Sequence, residues 1–436
     1  MSNNNLSSES IPLMSQGDNA KEDVDESSEE EKAEEIEGNL ENWQASMHLM
    51  KAFVGVGVLG LPSAVRHTGL VAAPIVLLAV GLGCKYGMVI LASTIRAVKE
   101  RIDAPSLTYG QLTRELFSLH SEIVGRFSKI FLDVIISTMQ LGFCVVYIIF
   151  IASTMHKLIG SMEQIVLATI CMPFILALAL IRNVKRIAVF AMFANVAVGV
   201  AVVIMMQYFV THIKRIPSEQ TNPTVFMVGF GQILYGYEGI GMVTSLEKNL
   251  RKKDSLQKIL IITLAIVIVL YSAFGVLGYL CFGDSVQPTV ALNLPSEPLY
   301  SYLDVVYILI VLISYPIQFL VPVDIAVSYF EESLSKRGLK YAEYGIRAGM
   351  AILTYVFAIL VPQLDNVMGL IGSFSGALIT FIFPPLLHTI CFWNEGLSKY
   401  QLVANVCLLV FGVLTSVIGT FSSLIEIIRR FEHQTM

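Results

Sequence analysis

Long apolar stretches separated by short polar segments make up the chain from about residue 46 onward. Many of these stretches reach the roughly 18–20 residues that an α-helix needs to cross a bilayer. The pattern therefore indicates an all-α polytopic membrane protein. It predicts eleven spans, which lie near residues 46–65, 70–94, 128–153, 164–181, 187–210, 224–245, 259–282, 303–328, 346–362, 367–390 and 401–427.

Two of the predicted spans contain residues that interrupt a helix. The first holds Gly55, Gly57, Gly60 and Pro62, and the sixth holds the glycine-rich run 229–241. Glycine adds backbone freedom and proline removes a hydrogen-bond donor, so neither run favours a continuous helix. Unwound backbone is tolerated at membrane depth only where protein or a water-filled cavity satisfies it. Glycines also permit close packing of membrane helices, which is the alternative role for each run taken alone.

The positions of these two spans predict an internal symmetry. Spans 1–5, at about 46–210, and spans 6–10, at about 224–390, pair the two broken spans with each other. Matching broken segments in two halves are typical of transporters whose inverted repeats hold a substrate site near the membrane midplane. We therefore expect a secondary transporter with a leucine-transporter-like 5+5 inverted repeat, to which an eleventh span at about 401–427 is appended.

Charged residues are scarce and unevenly placed. They make up 14% of the 436 residues, against ~25% in soluble domains. The acidic run from Lys21 to Glu41 cannot bury enough apolar surface to become ordered, so residues 1–42 should form a disordered tail before an eleven-span domain at 43–436. The loops after spans 2, 4, 6, 8 and 10 carry most of the lysines and arginines. The positive-inside rule places these loops, and with them the N-terminus, in the cytosol.

The sequence contains no motif for enzymatic catalysis or for a resident cofactor. It has no phosphate loop, nucleophile elbow or zinc motif, and its six cysteines are scattered in or beside apolar runs. We therefore expect no enzyme activity, no cofactor, no metal site and no nucleic-acid partner.

The two breaks supply the candidate substrate site. A half-helix end offers free N–H groups that suit a carboxylate, and unwound carbonyl groups suit an ammonium group. We expect a zwitterionic amino acid to bind there mainly through the unwound backbone of residues 55–59 and 234–238. Ordinary packing is the alternative role for the aromatic residues. The candidate residues are Phe53, Gly55, Val56, Gly57, Val58, Leu59, Phe230, Leu234, Tyr235, Gly236 and Tyr237.

Ionisable residues within the spans are candidates for proton coupling, because a charge at membrane depth is costly. His48 lies about two turns before Gly55, and histidine titrates in the range of a mildly acidic compartment. Glu238 lies in the sixth-span break, where it either carries a proton or braces the unwound backbone. Asp133, Asp304 and Asp324 fall near predicted span ends, where we expect solvated carboxylates.

Several motifs, in order along the chain, resemble the proton-coupled amino acid transporters within the amino acid/auxin permease superfamily. The resemblance covers about residues 43–428. It implies a leucine-transporter-like fold and proton-driven symport of small neutral amino acids across a membrane toward the cytosol, with the coupling histidine at His48. The motifs are HLMK at 48–51 with GVGVLGLP at 55–62, YEGIG at 237–241, LGYLCFG at 277–283, LNLP at 292–295 and IFPPLL at 382–387.

Three alternatives remain open at this point. The family usually has Gly-Asn where this chain has Ala52-Phe53, so a larger substrate or sodium coupling is possible. The acidic tail motivates a different function, an amino acid sensor that signals through a cytosolic partner. A run from Glu9 to Met14 resembles an acidic dileucine sorting signal, which directs proteins to lysosomal or vacuolar membranes. The plasma membrane is the other candidate location.

Overall fold

The structure is a computed structural model, and it describes residues 40–182, 185–213, 223–331 and 333–435. Within these ranges it is helical, and a single bridge between Leu40 and Leu250 is the extended pairing that it shows. The dileucine-like run and all but the last residues of the predicted disordered tail lie outside the described residues. Both expectations therefore stay predictions.

The helices of the described ranges follow one another with short connections. In chain order they are α1 (Asn42–Phe53), α2 (Val56–Leu59), α3 (Leu61–Thr68), α4 (Ala72–Ile102), α5 (Tyr109–Ser118), α6 (Glu122–Ile159), α7 (Gln164–Ala179), α8 (Lys185–Thr211), α9 (Pro223–Gly236), α10 (Gly241–Asn249), α11 (Leu256–Phe282), α12 (Pro298–Ser328), α13 (Lys336–Leu360), α14 (Leu364–Ile371), α15 (Phe383–Phe392) and α16 (Lys399–Thr435).

Seven helical segments of the described residues are long and apolar enough to cross a membrane, judged by length and composition. The two broken spans correspond to α1–α3 and α9–α10, and α7 and the apolar part of α8 are shorter. The chain is thus a multi-pass membrane protein, and the total of eleven spans stays a prediction. The seven segments are Ala72–Ile102, Glu122–Ile159, Lys253–Ser285, Pro298–Ser328, Lys336–Leu360, Leu364–Glu395 and Lys399–Glu432.

The helix ends meet at two opposite faces of the bundle. At one face, Arg96 near the end of α4 pairs with Asp254, which lies just before α11. We call this face, where α1 begins, the N face. At the other face, Lys157 near the end of α6 pairs with Asp304 near the start of α12. We call that face, where α16 ends, the C face. The predicted cytosolic side is the N face.

The expectation that Asp133 and Asp304 are solvated is wrong. Asp133 is 7% exposed and accepts a hydrogen bond of 2.7 Å from the Tyr329 hydroxyl. Asp304 is fully buried and lies 2.6 Å from the Lys157 ammonium group. Both α6 and α12 begin about one turn or more before the apolar runs predicted, so both carboxylates lie further inside the bundle than the hydropathy pattern suggests.

The tenth predicted span is irregular in its middle. Between α14 and α15 the chain forms two wide π-helical turns, Gly372–Gly376 and Leu378–Ile382. Such turns are often found at functional sites. A Cβ atom at Gly372 would overlap the carbonyl oxygen of Gly231, so span 10 crosses α9 in direct backbone contact. Span 10 is therefore held against the helix that leads into the second break.

Candidate transport site

The first break separates α1 from α2. Only Val54 and Gly55 are non-helical, because Val56–Leu59 forms a short helical turn of its own. The expected unwinding over 55–59 is thus too long. Gly60 connects α2 to α3. Pro62 lies in the first turn of α3, where its missing N–H breaks no helical hydrogen bond. The span therefore has a narrow break and a separate kink at Gly60.

The second break separates α9 from α10. Residues 237–240 are non-helical, so Tyr237 and Glu238 lie in the break, whereas Leu234 to Gly236 still belong to α9. The expected unwinding over 234–238 therefore begins too early by one turn. A Cβ atom at Gly239 would lie 2.8 Å from the ring of Phe53, so the ring at the end of α1 packs directly on this break.

The two breaks face each other, as the sequence predicts. A Cβ atom at Gly57 would lie 3.0 Å from Cα of Gly236, so the backbones of the two broken spans are in direct contact beside the breaks. The Tyr271 hydroxyl of α11 lies 2.6 Å from the carbonyl oxygen of Phe53 and 2.8 Å from that of Gly236. These carbonyls are at the C-terminal ends of α1 and α9, so one buried donor serves both helix ends.

Open space and unpaired polar atoms lie beside the breaks. A Cβ atom at Gly55 or Gly241 would meet no atom within 4 Å. The buried hydroxyl groups of Tyr235 and Tyr237 have no hydrogen-bond partner in the part of the chain that the structure describes. Buried polar groups are normally paired. Unpaired hydroxyls beside an open backbone are suited to a polar ligand or to bound water.

Most of the candidate apolar residues line this region, but one points elsewhere. Val56, Val58 and Leu59 are buried at the first break. Phe230 instead packs its ring against Phe411 of α16, with 5.7 Å between the ring centroids. Its position about two turns before the second break places it against the eleventh predicted span rather than beside Gly236.

The aromatic rings at the second break pack against scaffold residues. The Tyr235 ring lies 4.6 Å from that of Phe143 on α6, and the Tyr237 ring lies 4.8 Å from that of Tyr271. Leu234 meets span 10, since a Cβ atom at Gly376 would be 3.4 Å from its side chain. The two tyrosines are thus fixed in position while their hydroxyl groups stay unpaired.

The two candidate proton carriers lie in different surroundings. Glu238 is 8% exposed, and the Thr380 hydroxyl of span 10 lies 3.5 Å from its carboxylate. It forms no ion pair with any residue that the structure describes. His48 is exposed on α1, five residues before the end of that helix at Phe53. The structure therefore places Glu238 in a dry setting at the break and His48 on an accessible surface of the N-face half-helix.

Three residues at the site were not anticipated from the sequence. Tyr271, Thr380 and Phe143 come from spans 7, 10 and 3, and each run holds further polar or aromatic residues from which the sequence does not single them out. Their roles depend on which spans are neighbours, which hydropathy does not reveal. The glycines at 372 and 376 were the one local signal that span 10 approaches another helix closely.

Comparisons with known proteins agree with this arrangement. Residues 38–425 match the model of a family described as transmembrane amino acid transporter protein. Amino acid transporter AVT3A of Arabidopsis thaliana is 29% identical over 390 residues, and AVT3C of the same plant is 26% identical over 399 residues. Each alignment covers 86% of this chain and 88% of the relative. A solved structure, the inward-facing conformation of Mhp1, is similar with a TM-score of 0.51 at 13% identity, covering 92% of both chains.

The fold and the paired breaks define a multi-pass membrane transporter with a leucine-transporter-like fold. The match over most of its length shows that the chain belongs to the transmembrane amino acid transporter family, within the amino acid/auxin permeases. The predicted fold class and the resemblance to this superfamily are thereby confirmed. The similarity to Mhp1 supports the fold alone.

Proposed function

We propose that this protein is a secondary active transporter that carries small neutral amino acids together with protons toward the cytosol. The observation that carries the proposal is the meeting of the two breaks around Gly57, Gly236 and the Tyr271 hydroxyl. The names of the relatives support amino acids as the substrate class. Proton coupling rests on His48 and Glu238, two of the ionisable groups of the broken spans.

The geometry favours a small substrate. The backbone beside Gly55 is open, but the Phe53 ring packs on Gly239 and the Tyr235 ring packs on Phe143. The large rings leave room chiefly beside the protein backbone. This room suits the ammonium and carboxylate groups of an amino acid. In this proposal the carboxylate binds beside Gly55, and the tyrosine hydroxyls bind polar atoms of the substrate or water. Phe53 then limits the size of the side chain that fits.

The sidedness follows from the distribution of positive charge. We infer that the N face is cytosolic and that the C face lies toward the outside of the cell or the lumen of a lysosome-like or vacuolar compartment. For the proton to move toward the cytosol, the compartment at the C face must be more acidic than the cytosol. Movement of the proton down that gradient supplies the free energy for amino acid accumulation.

Uptake into liposomes that contain the purified protein tests this function. A panel of labelled amino acids is supplied under an inward proton gradient in sodium-free buffer, and a protonophore in matched vesicles collapses the gradient. We expect small neutral amino acids to accumulate above their equilibrium level, and the protonophore to abolish the accumulation. Strict dependence on sodium without any response to pH would contradict the proposal, as would a preference for large side chains.

A further inference from the structure

A buried charged cluster lies at the C face, away from the two breaks. Asp365, at the start of α14, is 1% exposed and binds both terminal nitrogens of Arg430 at 2.9 and 2.7 Å. The backbone N–H of Asn366 also donates to this carboxylate at 3.0 Å. Three donors and a helix N-terminus therefore hold a negative charge here. The cluster joins span 10 to α16.

His67 of α3 lies between two charged groups of opposite sign. Its Nε2 is 3.2 Å from the Arg66 guanidinium and 3.9 Å from the Asp365 carboxylate. The Arg66 guanidinium needs a lone pair on Nε2, whereas the carboxylate needs a proton there. The ring is 3% exposed, so water does not resolve this conflict. In the described arrangement Nε2 is within hydrogen-bond distance of Arg66 and beyond it for Asp365.

The other edge of the His67 ring is unpaired. Its Nδ1 makes no hydrogen bond to any residue that the structure describes, although it must carry the proton of the neutral ring while Nε2 accepts from Arg66. Gln232 of α9 lies beside the ring, and both atoms of its amide also lack partners among the described residues. A buried donor that is left unpaired is unfavourable. The neutral state of His67 is therefore only partly satisfied.

The charged groups that face His67 come from three elements. Arg66 lies on its own helix, Asp365 on α14 and Arg430 on α16, where Glu426 lies 3.9 Å from Arg430. Gln232 on α9 is polar and uncharged. The Asp365 carboxylate is the nearest anionic group, and a protonated ring gains an ion pair with it only if the Arg66 guanidinium moves away.

Arg66 also fixes the end of α3 to another part of the C face. The terminal nitrogen of Arg66 that does not contact His67 donates to two carbonyl oxygens in the segment after α11. It lies 3.2 Å from that of Asp284 and 2.7 Å from that of Val286. The carboxylate of Asp284 accepts a hydrogen bond of 3.2 Å from the Tyr279 hydroxyl, so it is held against α11. Displacement of Arg66 from His67 is thus linked to the contact between α3 and the segment after span 7.

We propose that His67 is a further proton-binding residue of the transport cycle, which acts at the C face and exchanges Arg66 for Asp365 as the partner of Nε2 when a proton binds. This inference rests on the proposed proton-coupled function. The proton reaches the ring from the C face, where Arg66 is half-buried and the residues at 284 and 285 are exposed. The new ion pair joins α3 to α14, so in this proposal proton binding strengthens the contact between spans 1 and 10 and favours a state that is closed at the C face.

Substrate affinity at the C face should therefore depend on pH through His67. Uptake by oriented vesicles is measured while the C-face pH falls from about 7.5 to about 4 at a constant N-face pH, because burial disfavours the charged ring and extends its titration below the usual histidine range. In the wild type we expect KM to fall with the C-face pH, because a proton and the substrate favour the same closed state and each raises the affinity for the other. In His67→Gln we expect KM to depend clearly less on C-face pH than in the wild type, since glutamine bonds both partners without titrating.

Two further variants make the result specific. His156→Gln changes a histidine at the C-face end of α6, which bonds the carbonyl of Met162, and it should keep the wild-type pH dependence. Arg66→Gln removes the guanidinium that competes with the proton, so the midpoint of the pH profile should move to higher pH. Arg66 is half-buried, and this second test does not depend on whether His67→Gln folds.

The outcomes separate the two proposals. A wild-type pH dependence in His67→Gln, or an unchanged midpoint in Arg66→Gln, would overturn the assignment of His67 and leave proton-coupled transport intact. A wild type whose uptake ignores pH on both faces would overturn the proposed function, and the role of His67 with it. Substrate exchange at about pH 7.5, where the ring is mostly neutral, shows that each variant is folded and active.

Discussion

At the residue scale, the Tyr271 hydroxyl is the contact on which the site depends most. It is the donor within reach of the carbonyl groups at the ends of α1 and α9, and it comes from a third helix, α11. One hydroxyl has a single proton, so the two carbonyls share it. A change of substrate or access state that separates the breaks must alter this contact. The account therefore assigns Tyr271 a positioning role.

Replacement of Tyr271 by phenylalanine should impair both stability and transport. The carbonyl of Phe53 keeps the Gly55 N–H as a donor at 2.9 Å, whereas that of Gly236 loses the Tyr271 donor, at a cost of about 1–3 kcal/mol. We expect a lower melting temperature and a fall in the maximal uptake rate that exceeds any change in KM. Thermal unfolding in detergent and uptake by liposomes measure the two effects.

Tyr86→Phe is the matched control for this change. It removes a tyrosine hydroxyl that bonds Asn405 at 2.8 Å, between α4 and α16 and away from the breaks. It should lower stability by a similar or smaller amount while transport stays close to wild type. Equal losses of transport in both variants would show that Tyr271 acts only through general stability.

At the element scale, the close crossing of the two broken spans depends on Gly57. A Cβ atom there would lie 3.0 Å from Cα of Gly236, which is backbone and cannot rotate away. Gly57→Ala should therefore separate the breaks, lower the melting temperature and reduce transport severely. Gly55→Ala adds the same methyl group where no atom lies within 4 Å. It should fold normally and raise KM, because the methyl group enters the proposed carboxylate site.

The two glycine variants are compared by thermal unfolding and by KM for uptake. The account requires that only Gly57→Ala lowers stability. If Gly55→Ala leaves KM unchanged, the substrate carboxylate does not bind beside Gly55. If Gly57→Ala transports normally, the close approach of the two breaks is not needed for function.

The sequence predicted which two spans are broken, but it did not predict how many residues each break includes. The glycine clusters correctly indicated two facing breaks, because helix-breaking residues act locally. The lengths of the breaks were wrong: Val56–Leu59 recovers a helical turn and Leu234 stays in α9, since packing in the bundle favours hydrogen-bonded backbone. The burial of Asp304 against Lys157 was missed because their contact joins residues that are far apart in the chain.

At the scale of the whole molecule, the proposed proton coupling involves the two faces together. His48 lies on the accessible N-face half of span 1, Glu238 lies in the break of span 6, and His67 lies in the buried cluster of the C face. A proton that binds at one face and is released at the other shifts the equilibrium between the two access states of the protein only if these states stabilise the added charge differently. The hydropathy pattern predicted the first two residues but could not predict the C-face cluster, which joins α3, α14 and α16.

The central claim is that the amino acid and the proton move together through the two broken spans, with His48 carrying or gating the proton. The most direct measurement records proton flux and labelled amino acid flux in the same liposomes, for the wild type, His48→Ala and the exposed control His120→Ala. The account predicts coupled fluxes in the wild type and in His120→Ala. It predicts that His48→Ala loses proton flux and accumulation but still exchanges internal for external amino acid at equal pH. Proton-driven accumulation by His48→Ala at the wild-type level would contradict it.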